Sequence, residues 1–157
     1  MSAQTRLPVL TKEQVLHFLK QHRQMCVATF GSFPWIATVY YAYDNNLNLY
    51  FLSDPTTLHC QQIAQNQQVA VAIAESPQDA NNLKRGLQIS GVAVRLSQRE
   101  KVVQALKLWK QYLHVRDPKL TYKAVKNSMY QITPKRIKLF DQALFTVADG
   151  KEPVMEL

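Results

Sequence analysis

Hydrophobic positions along the chain repeat with two different periods, and each period predicts its own kind of element. Residues 11–14 and 97–100 have the order typical of capping boxes, and each is followed by apolar residues at helical spacing. Asp54 and Pro55 suit a helix cap and a first helical position, so a third helix is predicted from there to about Gln65. Residues 116–128 are basic and partly helical in pattern.

Short apolar runs, many of them rich in β-branched and aromatic residues, predict strands between these helices. The predicted strands cover residues 25–30, 35–43, 47–53, 69–74, 83–96, 129–132, 136–140 and 144–147. Residues 133–135 contain a proline and are predicted to separate two of them. Connections this short favour antiparallel neighbours. The pattern therefore predicts a mainly β fold with flanking helices, built on one antiparallel sheet that curls and closes.

Length and composition limit the class of protein. The 157 residues are 46% hydrophobic, which is enough for one globular domain over residues 1–157. No apolar run approaches the roughly 20 residues that cross a bilayer, and residues 1–10 lack the apolar centre of a signal peptide. We therefore expect a cytoplasmic protein with no membrane partner.

The net charge of +8 is unevenly distributed. Residues 24–83 contain no lysine or arginine, whereas residues 84–138 carry 14 basic and 2 acidic side chains. Aromatic residues lie among the cations between Lys107 and Lys138, which raises nucleic-acid binding as a hypothesis. No recognised nucleic-acid motif accompanies the charge, so we do not expect a nucleic-acid partner.

The two cysteines, Cys26 and Cys60, do not form a metal or redox motif. Neither has a partner at CxxC spacing, so no metal site is predicted. Cys60 follows His59, but adjacent helical side chains point about 100° apart and do not readily serve one centre. We expect both thiols to be ordinary core residues.

The segment 47–59 carries the main candidate for chemistry. It predicts a strand that runs into a turn and a helix start, where free backbone N–H groups suit an anion. The same segment supplies the polar side chains of Ser53, Thr56, Thr57 and His59. The alternative interpretation is a capped surface helix with no ligand.

Three sequence blocks together resemble the flavin-binding split barrels related to pyridoxamine 5′-phosphate oxidase. They are residues 34–41, residues 50–59 with 69–72 downstream, and residues 85–91, and residues 130–137 resemble the closing strand of that family. The resemblance implies a six-stranded antiparallel split β-barrel that forms a homodimer. It also implies one FMN in each of two clefts at the subunit interface.

The resemblance assigns the flavin phosphate to the turn after the third strand. Thr57 lies at the hydroxyl position, with Ser53 and Thr56 beside it, and His59 lies where lysine is frequent. Leu58 lies where the oxidases proper carry arginine, and Asp54 adds a negative charge that disfavours phosphate. A cation from Arg85, Lys84 or the partner subunit is therefore required for tight binding.

For the flavin ring, the resemblance points to Ala37 and Thr38 on the second strand and to Gln88 on a later one. Gly86 shares a strand face with Gln88, because strand side chains alternate, and we expect it to leave room for a planar ring. The chain beyond Phe140 contains no Trp, Arg or His, which the oxidases use to hold their vitamin B6 substrate. We therefore do not expect pyridoxamine phosphate oxidation.

Two functions remain open at this point. The first is an FMN-dependent oxidoreductase of unknown substrate, whose catalytic residues the sequence does not identify. The alternative is a non-catalytic binding module that has lost flavin and holds haem or another ligand. Haem needs an axial donor such as His or Cys, and the chain has four histidines and two cysteines.

Overall fold

The fold was analysed in a computed structural model that describes residues 7–75 and 77–157. Within those residues the helices are α1 (Lys12–Lys20), α2 (Leu58–Gln65), α3 (Arg99–Leu113) and α4 (Tyr122–Val125). The strands are β1 (Gln24–Phe30), β2 (Pro34–Tyr40), β3 (Ala42–Tyr43), β4 (Leu49–Leu52), β5 (Gln68–Ala74), β6 (Arg85–Arg95), β7 (Met129–Asp141) and β8 (Val154–Glu156). No helix among the described residues is long and apolar enough to cross a bilayer.

All the strands belong to one antiparallel sheet, and that sheet curls back on itself. The strand order is β2-β1-β5-β6-β7-β4-β3, and β8 pairs with β7. The first and last strands of this order, β2 and β3, are separated by Tyr41 alone, so the two ends of the sheet are consecutive in the chain. This confirms the predicted split-barrel architecture. The path contains seven strands rather than six because the predicted strand 35–43 is interrupted at Tyr41.

The inward face of the sheet forms the main core. Strand β5 alternates strictly between exposed and buried residues, with Val69, Val71 and Ile73 inside and three alanines plus Gln68 outside. The inner residues of β1, β6 and β7 extend the same cluster, and α1 closes it with Phe18 and Leu19. A smaller cluster lies under α3 and α4. Outward-facing residues of the sheet are consequently free to form a site.

The two predicted capping boxes differ in outcome. At α1, Thr11 Oγ1 accepts from the Gln14 N–H at 3.2 Å, and Gln14 Oε1 accepts from the Thr11 N–H at 2.9 Å, which confirms the prediction. At α3, the cap is Gln98 and no side chain caps the helix, so the prediction for residues 97–100 is wrong. The N–H of Leu96 still bonds to the sheet, at the Met129 carbonyl, which delays the start of α3 beyond Ser97.

Strand β7 runs through the proline predicted to break it. The register shifts after Ser90, so that Gly91 faces Pro134 and Lys135 is left out of the ladder with β6. A Cβ atom on Gly91 would lie 2.6 Å from the Thr133 carbonyl oxygen, so the bulge requires glycine there. The separation predicted at residues 133–135 is therefore wrong.

The predicted strand at residues 144–147 is also wrong. Asp141 Oδ1 accepts the N–H groups of Ala143 and Leu144 at 2.9 and 3.1 Å, which turns the chain away from the sheet. The last strand is instead β8, which pairs with residues 136–138 of β7.

Candidate functional site

The turn between β4 and α2 holds the polar residues of the candidate anion site. The Ser53 N–H donates to the Ser128 carbonyl at 2.9 Å, which anchors the end of β4. Asp54 Oδ1 accepts from the Thr56 N–H at 2.8 Å and from the Thr56 hydroxyl at 2.7 Å. These two bonds lower the pKa of Asp54. Because Asp54 bonds Thr56, it does not cap α2; the cap is Thr57, and the predicted cap at Asp54 is wrong.

Three of the predicted phosphate ligands converge in one half-buried cluster. His59 Nε2 lies 2.7 Å from Ser53 Oγ and 3.3 Å from Thr57 Oγ1, and the two hydroxyl oxygens are 3.4 Å apart. Thr56, the fourth candidate, is exposed and bonded to Asp54. The fold therefore brings together Ser53, Thr57 and His59 but not Thr56.

The first turn of α2 contains backbone N–H groups that have no hydrogen-bond acceptor among the described residues. The Thr57 hydroxyl donates to the Asp54 carbonyl at 2.8 Å and does not accept a bond from the helix. The first helical bond is Gln61 N–H to the Thr57 carbonyl, at 2.9 Å. Within residues 7–75 and 77–157, the amides of Leu58, His59 and Cys60 have no hydrogen-bond acceptor. Such free amides, together with the positive end of the helix dipole, suit a phosphate or carboxylate.

A buried polar pair fixes the position of α2 on the sheet. Gln62 Oε1 accepts from the Thr29 hydroxyl at 2.6 Å, and Gln62 Nε2 donates to the Phe33 carbonyl at 3.1 Å. Gln62 is 4% exposed and Thr29 is 3% exposed, so loss of either partner would leave a buried polar group unpaired. The polar cluster at the other end of the helix is thereby held against the barrel.

Cys60, Tyr130 and Arg95 lie on the neighbouring side of the helix start. They share a cavity of about 380 Å³ with Pro55 and Gln61. Burial alone would raise the pKa of the Cys60 thiol, but hydrogen bonding from His59, Ser53, Thr57 and Tyr130 lowers it to about 7.

The same surroundings raise the pKa of Tyr130, through burial first and the thiol second. Cys60 is buried in the core as predicted, yet it also contacts the polar cluster. Arg95 is a cation near this site that sequence reasoning did not identify.

Arg85 is already engaged by carboxylates. Its Nε lies 2.8 Å from Asp141 Oδ2, its Nη1 lies 3.0 Å from Glu75 Oε1, and its Nη2 donates to Gln21 at 3.2 Å. Burial alone would lower the pKa of Arg85, but Asp141 and Glu75 together raise it. Both acidic partners are therefore directed at the guanidinium, and they offset the charge of Arg85, the predicted phosphate cation. Lys84, the other candidate, is exposed.

Thr38 and Gln88 lie in one cross-strand row on the outer face of the sheet. Register places Thr38 opposite Cys26, then Ala72, Gln88, Lys138 and Val154 in succession across six strands. Ala37 is next to Thr38 in the chain, so its side chain points to the opposite face of β2. The ring candidates Thr38 and Gln88 thus share a face, with two strands between them.

This outer face contains a cavity of about 490 Å³. Its floor consists of small side chains, and larger groups border it. The lining residues are Cys26, Ala28, Ile36, Ala70, Val71, Ala72, Gln88, Ile89, Ser90, Arg136, Lys138 and Val154. A cavity of this volume with apolar walls and a few polar groups is typical of a small-molecule site.

The expectation for Gly86 is wrong. A Cβ atom on Gly86 would lie 2.1 Å from Phe140 Cζ, because the Phe140 ring lies directly over this glycine. The room that glycine leaves is filled by a side chain of the same chain. The outer-face cavity lies instead over the neighbouring cross-strand row, which contains Ala72 and Cys26. Phe140 was not recognised in the sequence because the cross-strand register with Gly86 depends on the bulge at Gly91.

Three of the four aromatic residues in the basic segment from Lys107 to Lys138 make contacts within the fold. Tyr112 is bonded to the carbonyls of Leu19 and His22, Tyr130 stacks on Phe51 at 5.1 Å, and Tyr122 lies under Arg99 at 4.7 Å. These contacts use the rings for packing. They give no support to the nucleic-acid hypothesis.

Known proteins share both sequence features and the fold of this chain. The profile of the pyridoxamine 5′-phosphate oxidase family matches residues 11–141. A search of curated proteins found no match. Three solved structures of similar fold are each less than 20% identical to this chain, and they bear on the fold alone.

The conserved hypothetical protein Rv2991 from Mycobacterium tuberculosis has a TM-score of 0.71 at 17% identity, covering 95% of this chain and 98% of that one. General Stress Protein 26 from Bacillus anthracis has a TM-score of 0.67 at 16% identity, with 93% and 98% covered. An FAD-binding protein from Mesorhizobium loti has a TM-score of 0.64 at 18% identity, with 82% and 90% covered.

Proposed function

Because the chain belongs to the pyridoxamine 5′-phosphate oxidase family, we propose that it binds FMN and acts as a flavin-dependent oxidoreductase. The observation that carries the proposal is the start of α2. There the hydroxyls of Ser53 and Thr57 converge with the His59 imidazole, and the amides of residues 58–60 in the same turn have no acceptor among the described residues. A phosphate needs several donors converging on its oxygens, and this turn supplies them without a permanent cation.

The outer-face cavity is the place for the flavin ring in this proposal. Gln88 and small side chains line it, and Thr38 lies on β2 in the same cross-strand row as Gln88. When bound, FMN supplies the electron or hydride transfer, and the protein supplies binding and orientation. The described residues that line the cavity include no carboxylate and no histidine, so the proposal assigns none of them as a general base.

We infer a homodimer from the hairpin of β1 and β2. Five large apolar side chains there are about half exposed, namely Phe30 (51%), Phe33 (49%), Trp35 (46%), Ile36 (60%) and Tyr40 (54%). Ile36 and Tyr40 point to the outer face of β2 and Trp35 points to the opposite face, so both sides of the hairpin expose apolar groups. Exposed apolar groups of this kind mark an interaction surface, and among the described residues β2 is a terminal strand of the sheet, with one edge left for a second subunit. Ile36 also lines the outer-face cavity, so a second subunit on this hairpin would help to enclose it.

The test is an absorbance spectrum of the purified protein, with and without added FMN, combined with its molar mass in solution. We expect a flavin band at about 450 nm, one FMN per subunit, and the mass of two chains. Trp35→Asp is expected to give the mass of one chain and to release FMN, whereas Lys101→Asp on exposed α3 should change neither. A colourless protein that does not take up FMN would overturn the proposal, and a Soret band would favour the haem alternative.

A further inference from the structure

Much of the positive charge of the chain lies on one surface, formed by α3, α4 and the loop between them. Residues 99–126, which we call the basic surface, carry eight lysine or arginine side chains and two carboxylates. Seven of the eight cations are exposed, and Lys110 is half-buried. The ion pairs found within residues 7–75 and 77–157 involve only Arg85, Arg136 and Lys138 as cations. The charge of the basic surface is therefore available to a partner.

Helix α3 holds two of these cations side by side without an acidic neighbour. Lys107 and Lys110 are three residues apart, which places them on one face of the helix, and like charges at that spacing destabilise a helix. Glu100, the acidic residue of α3, lies in the first turn, about two turns before Lys107. The Asp117 carboxylate of the following loop accepts the backbone N–H of Lys119 at 2.9 Å. A bound anion would offset the repulsion between Lys107 and Lys110.

A partly apolar groove of about 630 Å³ lies at these two lysines. It is lined by Val103, Leu106, Lys107, Lys110, Gln111 and Val115. Val103 is 44% exposed and is the exposed large hydrophobic side chain of the basic surface. The groove thus combines an accessible apolar wall with ammonium groups.

The loop after α3 is bonded back onto the helix, which gives the groove its shape. His114 ends the helix with a left-handed backbone at φ 56°, and the Val115 N–H donates to the Lys110 carbonyl at 2.9 Å. Lys110 Nζ lies 3.3 Å from the carbonyl oxygens of both Asp117 and Leu120. The groove is therefore formed before a partner binds, which lowers the entropy lost on binding.

We propose that this groove binds an acidic amphipathic helix of a partner protein. An apolar side chain of that helix packs between Val103 and Val115, and its carboxylates lie against Lys107 and the neighbouring cations. The chemistry follows from complementarity, because an apolar groove bordered by ammonium groups matches an apolar stripe bordered by carboxylates. The proposal goes beyond the proposed function and does not rest on it, since the groove shares no residue with the outer-face cavity or the start of α2.

The same surface is less suited to a nucleic acid or to a membrane. Tyr112 and Tyr122 are used for contacts within the fold, so they do not offer free faces for base stacking. Phosphate groups would contact the cations and leave the apolar wall of the groove unused. A helix that lies on a membrane buries a whole apolar face, whereas Val103 alone represents such a face here.

The test uses a fluorescein-labelled peptide, Glu-Leu-Glu-Glu-Leu-Leu-Glu-Glu-Leu-Glu, whose leucines share one helical face. One matched peptide has glutamine in place of every glutamate, and another has serine in place of every leucine. Binding to the 157-residue chain is followed by fluorescence anisotropy. We expect the acidic leucine peptide to bind about fivefold more tightly than either matched peptide, and its affinity should fall as salt is added.

Two variants separate the charge of the groove from its apolar wall. Lys107→Gln should weaken the acidic leucine peptide about threefold and leave the glutamine peptide unchanged. Val103→Ser should weaken the acidic leucine peptide about threefold and leave the serine peptide unchanged, because it removes apolar surface and no charge. Lys12→Gln removes an exposed cation from α1 and is the matched control, expected to alter neither affinity. Thermal unfolding of all three variants should match the wild type, because the three side chains are exposed.

Equal binding of the acidic leucine and serine peptides would reduce the interaction to unspecific charge attraction and overturn the proposal. No binding of any peptide, or an equal loss in Lys12→Gln and Lys107→Gln, would overturn it as well. Tighter binding of a ten-nucleotide oligothymidylate, or of phosphatidylserine vesicles, would replace the partner protein by a nucleic acid or a membrane. The FMN content of Val103→Ser and Lys107→Gln reports on the flavin proposal separately, since both residues lie outside that site.

Discussion

Two regions of the molecule are candidates for an anion site. They differ in whether they offer a formal positive charge or free hydrogen-bond donors. Arg85 carries a full charge, but Glu75 and the buried carboxylate of Asp141 already neutralise it. The start of α2 carries no permanent cation, yet its amides at residues 58–60 lack acceptors among the described residues. Unsatisfied hydrogen-bonding capacity, rather than formal charge, therefore marks an anion site in a folded chain.

The largest expected effect comes from removing Arg85. Asp141 is 3% exposed, so Arg85→Ala leaves a buried carboxylate with two backbone donors and no cation. Breaking a pair of this kind should lower the free energy of unfolding by about 3 kcal/mol, measured by urea denaturation. The FMN dissociation constant should stay within about twofold of the wild-type value when measured below the unfolding transition.

The double variant Arg85→Met with Asp141→Asn removes both charges and should recover part of the lost stability. If Arg85→Ala instead released FMN while leaving unfolding unchanged, Arg85 would be a phosphate ligand and the contrast between the two regions would be reversed.

Removing the hydroxyl of Thr57 tests the phosphate site proposed at the start of α2. Thr57→Ala should weaken FMN binding about threefold, because the hydroxyl exchanges its bond to the Asp54 carbonyl for a stronger one to a charged phosphate. The dissociation constant is measured by quenching of flavin fluorescence. Thr56→Ala is the matched control, since the Thr56 hydroxyl donates to Asp54 and lies outside the cluster. Equal losses in the two variants would contradict the placement of the phosphate.

Adding a cation at the start of α2 should strengthen FMN binding there. Leu58 is half-buried at the first helical position of α2, next to the unbonded amides. Leu58→Arg should tighten FMN binding by about fivefold at low salt, and the gain should shrink as salt is added. Leu58→Gln has a polar side chain without charge and should show no such salt dependence. A gain that is independent of salt would point to packing instead of charge.

The smallest expected effect is a pH dependence of stability that arises from the Cys60 thiol. The pKa of Cys60 is lowered from its ordinary value of 9.0 to about 7. The stability that the thiolate contributes is therefore fully present above about pH 9 and is lost as the pH falls through about 7. Between pH 6 and pH 9 the free energy of unfolding of the wild type should rise relative to that of Cys60→Ala.

The difference is read from thermal unfolding of the two proteins at each pH. Parallel pH profiles for the wild type and Cys60→Ala would show that the neighbouring donors are not directed at the sulfur.

Local patterns predicted much of the fold. The strand at residues 69–74, the capping box at Thr11 and the turn before the helix at residues 58–65 depend on neighbours within a few residues, and all three were predicted. The polar cluster of Ser53, Thr57 and His59 spans seven residues, so the sequence was sufficient to nominate it. The cap predicted at Asp54 failed because its carboxylate bonds Thr56 instead. The capping box predicted at Ser97 failed because the N–H of Leu96 still bonds to Met129 in the sheet, a tertiary contact.

What the sequence determined by itself is the set of elements and the polar character of one turn, because periodicity and turn chemistry are local properties. Only the tertiary structure decided which side chains are free. The partners of Arg85 lie 10 and 56 residues away, Phe140 covers Gly86 from another strand, and the outer-face cavity draws residues from six strands. Those contacts depend on cross-strand register, and register is set by a one-residue bulge opposite Gly91 that no local pattern specifies.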